Sequence, residues 1–209
     1  MKKLLLIGGG GHCHSVLDSV LALGEYTDIG IIDRGRNSYL GVPVIGNDDD
    51  IPRLKEKGWT HAFITVGSVG NTAIRRRLYK MIKDIDLIIP SIIDTTSVVA
   101  NDVLLSEGSF VGKNAIINAG SILGICSIIN TGSIIEHDCI VGDFSHISPG
   151  SIVCGQVNIG SDSHIGAGSV IRQQITIGDN TLIGIGSVIV RDIPERVTAY
   201  GNPCKVVDR

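Results

Sequence analysis

A six-residue repeat in the second half of the chain limits its fold more strongly than any other feature. From Val99 to Ile189 an aliphatic residue stands at every sixth position, sixteen times in succession without an insertion. Small or β-branched residues follow four positions after most of these aliphatics, among them Ser109, Ala115, Ser121, Ser127, Ser133, Cys139, Ser145, Ser151, Ser163, Ser169, Thr181 and Ser187. A period of six fits neither an α-helix nor an ordinary strand. It is typical of a parallel β-helix built from hexapeptides.

The repeat also predicts where its side chains lie. Three hexapeptides close one triangular coil, so residues 18 apart in the sequence are expected to lie directly above one another. We expect the aliphatic residue of each hexapeptide to point into the coil, the small residue to pack beside it, and the turn residues to face outward. At the spacing of parallel strands, about 4.8 Å, the repeat predicts about five stacked coils.

The first 92 residues follow another pattern, in which apolar strands alternate with helices. The predicted strands are Lys3–Ile7, Asp28–Asp33, Val42–Ile45, His61–Val66 and Asp86–Ile89, and the predicted helices are His12–Leu23, Asp49–Lys57 and Asn71–Ile82. This alternation indicates a small parallel sheet with helices on both faces. We therefore predict a Rossmann-like α/β domain over residues 1–92 and a β-helix domain with a C-terminal tail over residues 93–209.

Composition and charge exclude several classes of protein. The net charge of −3 gives no field that would attract nucleic acid or an anionic membrane. No stretch approaches the apolar length of a membrane span, and the first residues lack the apolar segment of a signal peptide. The five cysteines contain no C-x-x-C pair, which favours a reducing, cytoplasmic location.

His137 is the strongest candidate for catalysis. It lies in a predicted turn between two acids, Glu136 and Asp138, where other coils carry glycine, asparagine or aspartate. A carboxylate beside an imidazole raises its basicity and fixes its tautomer, which makes the histidine a general base. The alternative is a solvated surface histidine, and the sequence leaves open which acid is its partner.

Two further histidines interrupt the repeat in one column. His146 stands where the preceding hexapeptides carry isoleucine, and His164 lies one coil further along. Imidazole in place of a repeated apolar residue suggests a function for His146, with a partly exposed corner histidine as the alternative. The pattern assigns no role to His164.

Small residues recur at intervals of 18 along one predicted edge. The segments Ser148–Gly150, Gly166–Gly168 and Gly184–Gly186, here called the small-residue stripe, are in register. Their exposed backbone amides can pair with an extended chain such as a pantetheine arm. The alternative is that tight turns need glycine for backbone reasons alone.

The N-terminal run Gly8–Gly11 and His12 follow a strand and open a helix, the setting in which backbone N–H groups bind phosphate. The run departs from G-x-G-x-x-G because Cys13 occupies the third glycine position, so a nucleoside diphosphate is favoured over a dinucleotide. Asp33, at the end of the second predicted strand, is placed to meet a ribose or base. Since the side chains of His12 and its neighbours Cys13 and His14 diverge, we expect no metal site.

These motifs together resemble the family of sialic acid O-acetyltransferases and UDP-4-amino-sugar N-acetyltransferases. The matching segments are Gly8, Gly9, Gly11 and His12; Ile32-Asp33-Arg34; Val66-Gly67; Ile135-Glu136-His137-Asp138; Phe144-Ser145-His146; and Gly201-Asn202-Pro203. The resemblance extends over essentially the whole chain. It implies a left-handed β-helix, acetyl-CoA as co-substrate, and a homotrimer with its active site between neighbouring β-helices.

The resemblance also implies a role for individual residues. His137 would be the general base, and Asp138 would raise its basicity. His146 would contact acetyl-CoA near the thioester, while Ala167 and Ile185 would bind CoA through their backbones. The residues implied to hold the nucleotide-sugar are Gly10, Gly11, His12, Asp33, Arg34 and Gly67.

The sequence therefore predicts an acetyl-CoA-dependent acetyltransferase for surface glycan or glycoconjugate biosynthesis. The expected acceptor is the amino group of a UDP-type amino sugar, acetylated by direct transfer without a metal. O-acetylation of a sialic acid would use the same base on a hydroxyl group. A metal-dependent hydro-lyase on the same fold needs three converging histidines, whose spacing does not match here. A non-catalytic assembly module is the remaining alternative.

Overall fold

The computed structural model describes residues 2–35 and 38–207, and the ends of the predicted domains at residues 1, 208 and 209 lie outside it, as do residues 36 and 37. The chain forms two compact units. The first holds the chain up to Gly67 together with Ala73–Ile92, and the second holds Ser68–Thr72 together with the chain from Ile93 onward. The short segment Ser68–Thr72, which the sequence pattern places in the first domain, thus groups with the second unit.

A five-stranded sheet forms the centre of the first unit. Its strands are β1 (Lys3–Ile7), β2 (Asp28–Ile32), β3 (Ser38–Tyr39), β4 (Val42–Gly46) and β5 (His61–Ile64), in the order β3-β4-β2-β1-β5. All neighbours are parallel except β3, which runs antiparallel to β4. The parallel sheet confirms the prediction, and β3 was not expected.

The predicted strand Asp86–Ile89 is wrong. This segment forms only a single bridge, between Ile88 and His61. The backbone of Asp86 is left-handed, with φ at 59°, and Pro90 has no N–H to donate to a sheet. The pairing therefore extends no further than Ile88.

The helices of the first unit lie close to their predicted positions. They are α1 (Gly11–Leu23), α2 (Ile51–Glu56) and α3 (Ala73–Asp84), and a 3₁₀ turn at Asp48–Asp50 precedes α2. Asn47 caps that turn, since its side chain accepts from the N–H of Asp49 at 2.9 Å. Helix α1 buries Cys13, Val16, Leu17 and Val20 and ends at the left-handed Gly24.

The second unit is a left-handed parallel β-helix with three faces. The histidine face, named for His146 and His164, contains β6 (Ile92–Ile93), β9 (Phe110–Val111), β12 (Ile128–Ile129), β15 (His146–Ile147), β18 (His164–Ile165), β21 (Leu182–Ile183), β23 (Thr198–Gly201) and β24 (Cys204–Val207). The second face contains β7 (Val98–Val99), β10 (Ile116–Ile117), β13 (Ile134–Ile135), β16 (Ile152–Val153), β19 (Val170–Ile171) and β22 (Val188–Ile189). The third face contains β8 (Leu104–Leu105), β11 (Ile122–Leu123), β14 (Ile140–Val141), β17 (Asn158–Ile159) and β20 (Thr176–Ile177).

The register of the coils confirms the predicted stacking. Each two-residue strand pairs with the strand 18 residues away; for example, His146 lies opposite His164 and Ile147 opposite Ile165. The second residue of almost every strand is buried and contributes to one continuous aliphatic core. The small residues pack beside it, and their hydroxyl groups bind backbone groups of the neighbouring coils, as Ser163 does.

Candidate active site

His137 and Asp138 form a contact pair in the turn that joins the second face to the third. The Nδ1 atom of His137 lies 2.8 Å from Oδ2 of Asp138. Because a carboxylate only accepts, Nδ1 carries the proton, and Nε2 is left as the basic nitrogen. The side chains of both residues are 58% exposed. Of the two acids that flank His137, Asp138 is therefore the one that the structure brings to the ring.

Two glycines in the adjacent coils make room for this pair. A Cβ atom at Gly155 would lie 2.5 Å from Nε2 of His137, and one at Gly120 would collide with the carboxylate of Asp138. Gly120 also has a left-handed backbone, with φ at 72°, whereas Gly155 does not. Only the close approach of the imidazole therefore calls for glycine at position 155. The sequence analysis missed both residues, although each lies 18 positions from its partner.

His146 lies on the histidine face with both ring nitrogens engaged. Its Nδ1 is 3.2 Å from the carbonyl oxygen of Ser68, and its Nε2 is 3.2 Å from Nδ2 of Asn130. The N–H of Thr131 donates to Oδ1 of Asn130 at 2.8 Å, so the amide nitrogen of Asn130 faces the ring. A neutral ring protonated at Nδ1 satisfies all three contacts.

The small-residue stripe occupies the edge between the histidine face and the second face. Gly150, Gly168 and Gly186 have left-handed backbones, and a Cβ atom at Gly166 would lie 2.6 Å from the backbone of the next coil. Turn geometry and coil stacking therefore account for these four glycines.

The backbone of the stripe nevertheless retains free donors. Within the described part of the β-helix, the N–H groups of Ala167 and Ile185 make no hydrogen bond to the protein, whereas the carbonyl of Ala167 accepts from Gly186 at 2.8 Å. The Ile185 side chain is 80% exposed. This edge can thus donate to the amide oxygens of an extended ligand such as the pantetheine arm of CoA.

One chain does not bring all the predicted residues of the β-helix together. His137 stands at the edge between the second and third faces, while Ala167 and Ile185 stand at the other edge of the second face. A full face, up to about 20 Å of extended hexapeptide, separates the two edges. His146 lies beyond the stripe on the histidine face.

A cavity of about 370 Å³ opens in the first unit at the carboxyl ends of β1, β2 and β5. From β1 the sheet grows toward β2 and β4 on one side and toward β5 on the other, so the strand order changes direction at β1. Open α/β sheets bind ligands at such a point. Of the six residues expected to hold the nucleotide-sugar, Asp33 and Arg34 line this cavity. Asp33 also organises the adjoining loops, since it accepts from the N–H of Gly9 at 2.7 Å and of Gly35 at 2.8 Å.

Three of the other four expected residues lie where α1 begins, after β1, and Gly67 lies on the loop that follows β5. Gly10 and Gly11 stand at the start of α1, where an added Cβ atom would meet no protein atom within 4 Å. Neither has a left-handed backbone, so their lack of a side chain leaves space for a ligand at the helix N-terminus. His12 follows them, and a Cβ atom added at Gly67 would lie 3.6 Å from the Cβ of His12. Burial, and then the Arg75 charge, lower the pKa of His12 to about 4, so its ring is neutral at physiological pH.

Two cavity residues escaped the sequence analysis. Asp48 precedes α2 and Arg77 lies on α3, and their side chains approach to 3.5 Å at the cavity wall. The basic, amphipathic pattern of α3 was the available signal for Arg77. Nothing in the local sequence of Asp48 distinguishes it from the adjacent Asp49 and Asp50.

The thiol nearest to the dyad in sequence is that of Cys139. Cys139 is buried, its Sγ donates to the carbonyl of Cys154 at 3.2 Å, and burial raises the pKa of its thiol. Among residues 2–35 and 38–207, no cluster of three histidine, cysteine or acidic side chains could hold a metal ion. Over the same residues, no helix combines the length and apolar character needed to cross a bilayer.

Comparisons with protein families give two matches. The family described as the PglD N-terminal domain matches residues 3–82, and the bacterial transferase hexapeptide family, six repeats, matches residues 138–173. No curated protein sequence matches the chain.

Solved structures match both units at once. The acetyltransferase domain of PglB from Neisseria gonorrhoeae is 36% identical with a TM-score of 0.94, covering 99% of this chain and 100% of that one. PerB from Caulobacter crescentus, in complex with CoA and GDP-perosamine, is 36% identical with a TM-score of 0.93, covering 100% and 98%. A mutant of perosamine N-acetyltransferase from the same organism, with the same ligands, is 35% identical with a TM-score of 0.95, again covering 100% and 98%. WeeI from Acinetobacter baumannii, 23% identical with a TM-score of 0.83, shares the fold.

Proposed function

Because the chain belongs to the family of acetyl-CoA-dependent sugar acetyltransferases that join a PglD N-terminal domain to hexapeptide repeats, we propose that it acetylates the amino group of a nucleotide-linked amino sugar. Acetyl-CoA is its co-substrate. PerB and its mutants bind CoA and GDP-perosamine, and this supports a nucleotide-sugar acceptor for the present chain. We expect a UDP-type sugar, destined for a surface glycan or glycoconjugate.

The observation that carries the proposal is the orientation of His137. Asp138 holds the proton on Nδ1, and Gly155 leaves the space beside Nε2 free of any side chain. The lone pair of Nε2 lies in the plane of this exposed ring, where it can accept a proton from a substrate amine. A solvated surface histidine would need neither the fixed tautomer nor the cleared space.

The acetyl group passes directly from CoA to the sugar nitrogen, and no acyl-enzyme forms. The sugar amine attacks the thioester carbon, the new C–N bond forms, and Nε2 of His137 takes a proton from the nitrogen. The tetrahedral intermediate then expels CoA as a thiolate, and the C–S bond breaks. Backbone N–H groups of the small-residue stripe of a neighbouring chain, facing His137 with its segment Gly166–Gly168, are the candidate donors to the developing oxyanion.

An acyl-enzyme on the nearest thiol is not part of this proposal. Cys139 follows the dyad in sequence, but its side chain points into the β-helix and its Sγ is hydrogen-bonded to Cys154. Burial raises the pKa of the thiol, so the reactive thiolate is disfavoured.

The acceptor site we propose is the cavity of the first unit. Backbone N–H groups at the start of α1 would bind the diphosphate, with Gly10, Gly11 and His12 around it. Asp33 and Arg34, on the cavity wall, would meet the ribose or base, and Gly67 would lie beside the sugar. A neutral His12 can serve as hydrogen-bond donor or acceptor but adds no charge.

We further propose that the enzyme is a homotrimer and that neighbouring chains complete the active site. The dyad of one chain is exposed, and the CoA-binding edge of the same chain is a full face away. Several outward residues of the second and third faces are apolar and exposed, namely Val98, Ile152, Leu104, Ile122 and Ile140. Another chain that covered such a face would bury these residues and exclude water from His137.

The five cysteines include no C-x-x-C pair, which supports the reducing, cytoplasmic location that we propose for this reaction. Light scattering at assay concentration tests the trimer, since an active monomer would contradict the shared site.

A panel of UDP- and GDP-linked amino sugars, with free sialic acid alongside, tests the acceptor by release of the CoA thiol. We expect release with nucleotide-linked amines. Release with sialic acid alone would favour O-acetylation instead.

A further inference from the structure

His164 is buried on the histidine face, and the proposed mechanism does not use it. Only 8% of this residue is exposed, and its ring packs edge-to-face against that of His146, with centroids 4.9 Å apart and planes at 88°. The other residues at this strand position of the histidine face are apolar: Phe110 and Ile128 precede the two histidines, and Leu182 follows them. An imidazole here loses hydration that a leucine would not, so the position calls for an explanation.

The two histidines make equivalent contacts one coil apart. Nε2 of His146 lies 3.2 Å from the side chain of Asn130, and Nε2 of His164 lies 3.2 Å from Oγ of Ser148. Each partner is 16 residues before its histidine and opens the turn that leads to the second face. Ser148 is the first residue of the small-residue stripe, so His164 connects the ring of His146 to the edge that we propose binds CoA.

The segment Ser68–Thr72 covers the same two coils. The Ser68 carbonyl accepts from Nδ1 of His146, and the Thr72 hydroxyl donates to Asp162, which stands two residues before His164. A Cβ atom added at Gly70 would be in ordinary contact, at 3.7 Å, with the side chain of Leu182, the next residue of the column. His146 is thus held in its plane at both nitrogens, whereas His164 supports it from the side.

We infer that His164 is a positioning residue for acetyl-CoA binding. It fixes the plane of the His146 ring and the first turn of the small-residue stripe. The inference rests on the proposed function, since it takes His146 and the stripe as the acetyl-CoA site. It assigns His164 no contact with either substrate. Burial lowers the pKa of His164, which keeps the supporting ring neutral next to His146.

Two substitutions distinguish the effect of ring packing against His146 from the effect of filling the same volume with an apolar side chain. His164→Leu removes both the ring and the bond to Ser148, while it copies the leucine of the next rung. His164→Phe keeps an aromatic ring and copies Phe110 in the same column. The matched control is Phe110→Leu, which also replaces a buried ring of this column by leucine but lies two coils before His146.

For His164→Leu we expect the KM for acetyl-CoA and the Kd for CoA to rise about two- to tenfold, the range for loss of an aromatic pair. The KM for the nucleotide-sugar and kcat should change less. His164→Phe should recover most of the affinity, and Phe110→Leu should keep the KM and Kd of the wild type. Unchanged Kd and KM in His164→Leu would overturn the inference.

A spectroscopic readout separates positioning from general stability. Long-range ¹H–¹⁵N correlation should show His146 of the wild type as the Nδ1–H tautomer, and an averaged tautomer in His164→Leu. A melting temperature that falls while the His146 signals and the CoA Kd stay unchanged would mean a purely structural role and would contradict the inference. Because CoA binding and the tautomer need no acceptor, they test His164 even if the wild type fails to acetylate amino sugars.

Discussion

The proton on Nδ1 of His137 and the empty space beside its Nε2 make the dyad testable at the scale of single residues. His137→Ala should lower kcat by about 10²- to 10⁴-fold, the range for loss of a general base, while the Kd for acetyl-CoA is kept. Asp138→Asn should cause a smaller loss, because the tautomer is no longer fixed. Glu136→Gln is the matched control. A larger loss in Glu136→Gln than in Asp138→Asn would mean that the wrong acid has been assigned.

Gly155 gives a second residue-scale prediction. A methyl group at this position would lie 2.5 Å from Nε2 of His137, so Gly155→Ala must displace the ring. A displacement of about 1 Å at a catalytic group can cost about 100-fold, and we expect a loss of that order in kcat. In a His137→Ala background the same substitution should cost almost nothing further. Equal losses in both backgrounds would show that Gly155 acts independently of the ring.

His12 gives a prediction about stability and pH. Its pKa is about 4 in the folded protein and 6.5 in an unfolded chain, so between these values the unfolded state binds the extra proton. The stabilisation is complete above pH 6.5 and is lost as the pH falls toward 4, by at most about 3 kcal/mol. Urea unfolding at pH 7.5, 5.5 and 4.5 measures it. His12→Gln should show a weaker acid dependence than the wild type, and an identical one would contradict the assignment.

At the scale of elements, stacked hydroxyl groups join the coils of the β-helix in addition to its aliphatic core. Oγ of Ser163 donates to the carbonyl of Gly178 at 2.8 Å and accepts from the N–H of Thr181 at 3.0 Å. Ser163→Ala would leave both groups buried without this partner, at a cost of about 1–3 kcal/mol in the free energy of unfolding. Ser163→Thr should cost less, because Thr181 occupies the equivalent place in the next coil. Equal unfolding curves for the alanine variant and the wild type would contradict this account.

The elements also show what the sequence could predict. The β-helix followed from periodicity alone, because each hexapeptide makes the same contacts with the coils before and after it. The alternating pattern of the first unit gave its main strands and helices. The prediction of a strand at Asp86–Ile89 failed because its pairing is limited to one bridge. The left-handed backbone of Asp86 and the missing N–H of Pro90 cause this limit, and a hydrophobic pattern reports neither. The strand β3 was not predicted because two residues are too few to show the alternation of apolar and polar residues that marks a strand.

The site was predictable only in part, for a related reason. His137 and its acidic neighbours interrupt a regular repeat, so the sequence identified them, but the choice of Asp138 required the side-chain geometry. Gly155 could have been found by counting 18 residues onward. Asp48 could not, since its approach to Arg77 depends on how α3 packs on the sheet.

At the scale of the whole molecule, the exposed dyad lies a full face away from the edge that we propose binds CoA, which is why the proposal needs a second chain. A sequence repeat specifies contacts between coils of one chain. It does not specify how three chains meet, and the neighbour that faces His137 therefore remains part of the proposal. The same separation means that substitutions at Ile185 and at His137 should affect different steps, cofactor binding and chemistry.

The most direct test of the central claim is the structure of the product. A preparative reaction with acetyl-CoA and a UDP-linked 4-amino sugar should be resolved by NMR, with the acetyl carbonyl traced to its neighbouring atom. The account predicts an amide on the sugar nitrogen, an intact nucleotide diphosphate and one free CoA thiol for each acetyl group transferred. An acetyl ester on a sugar hydroxyl, or CoA release without any acetylated nucleotide-sugar, would contradict it.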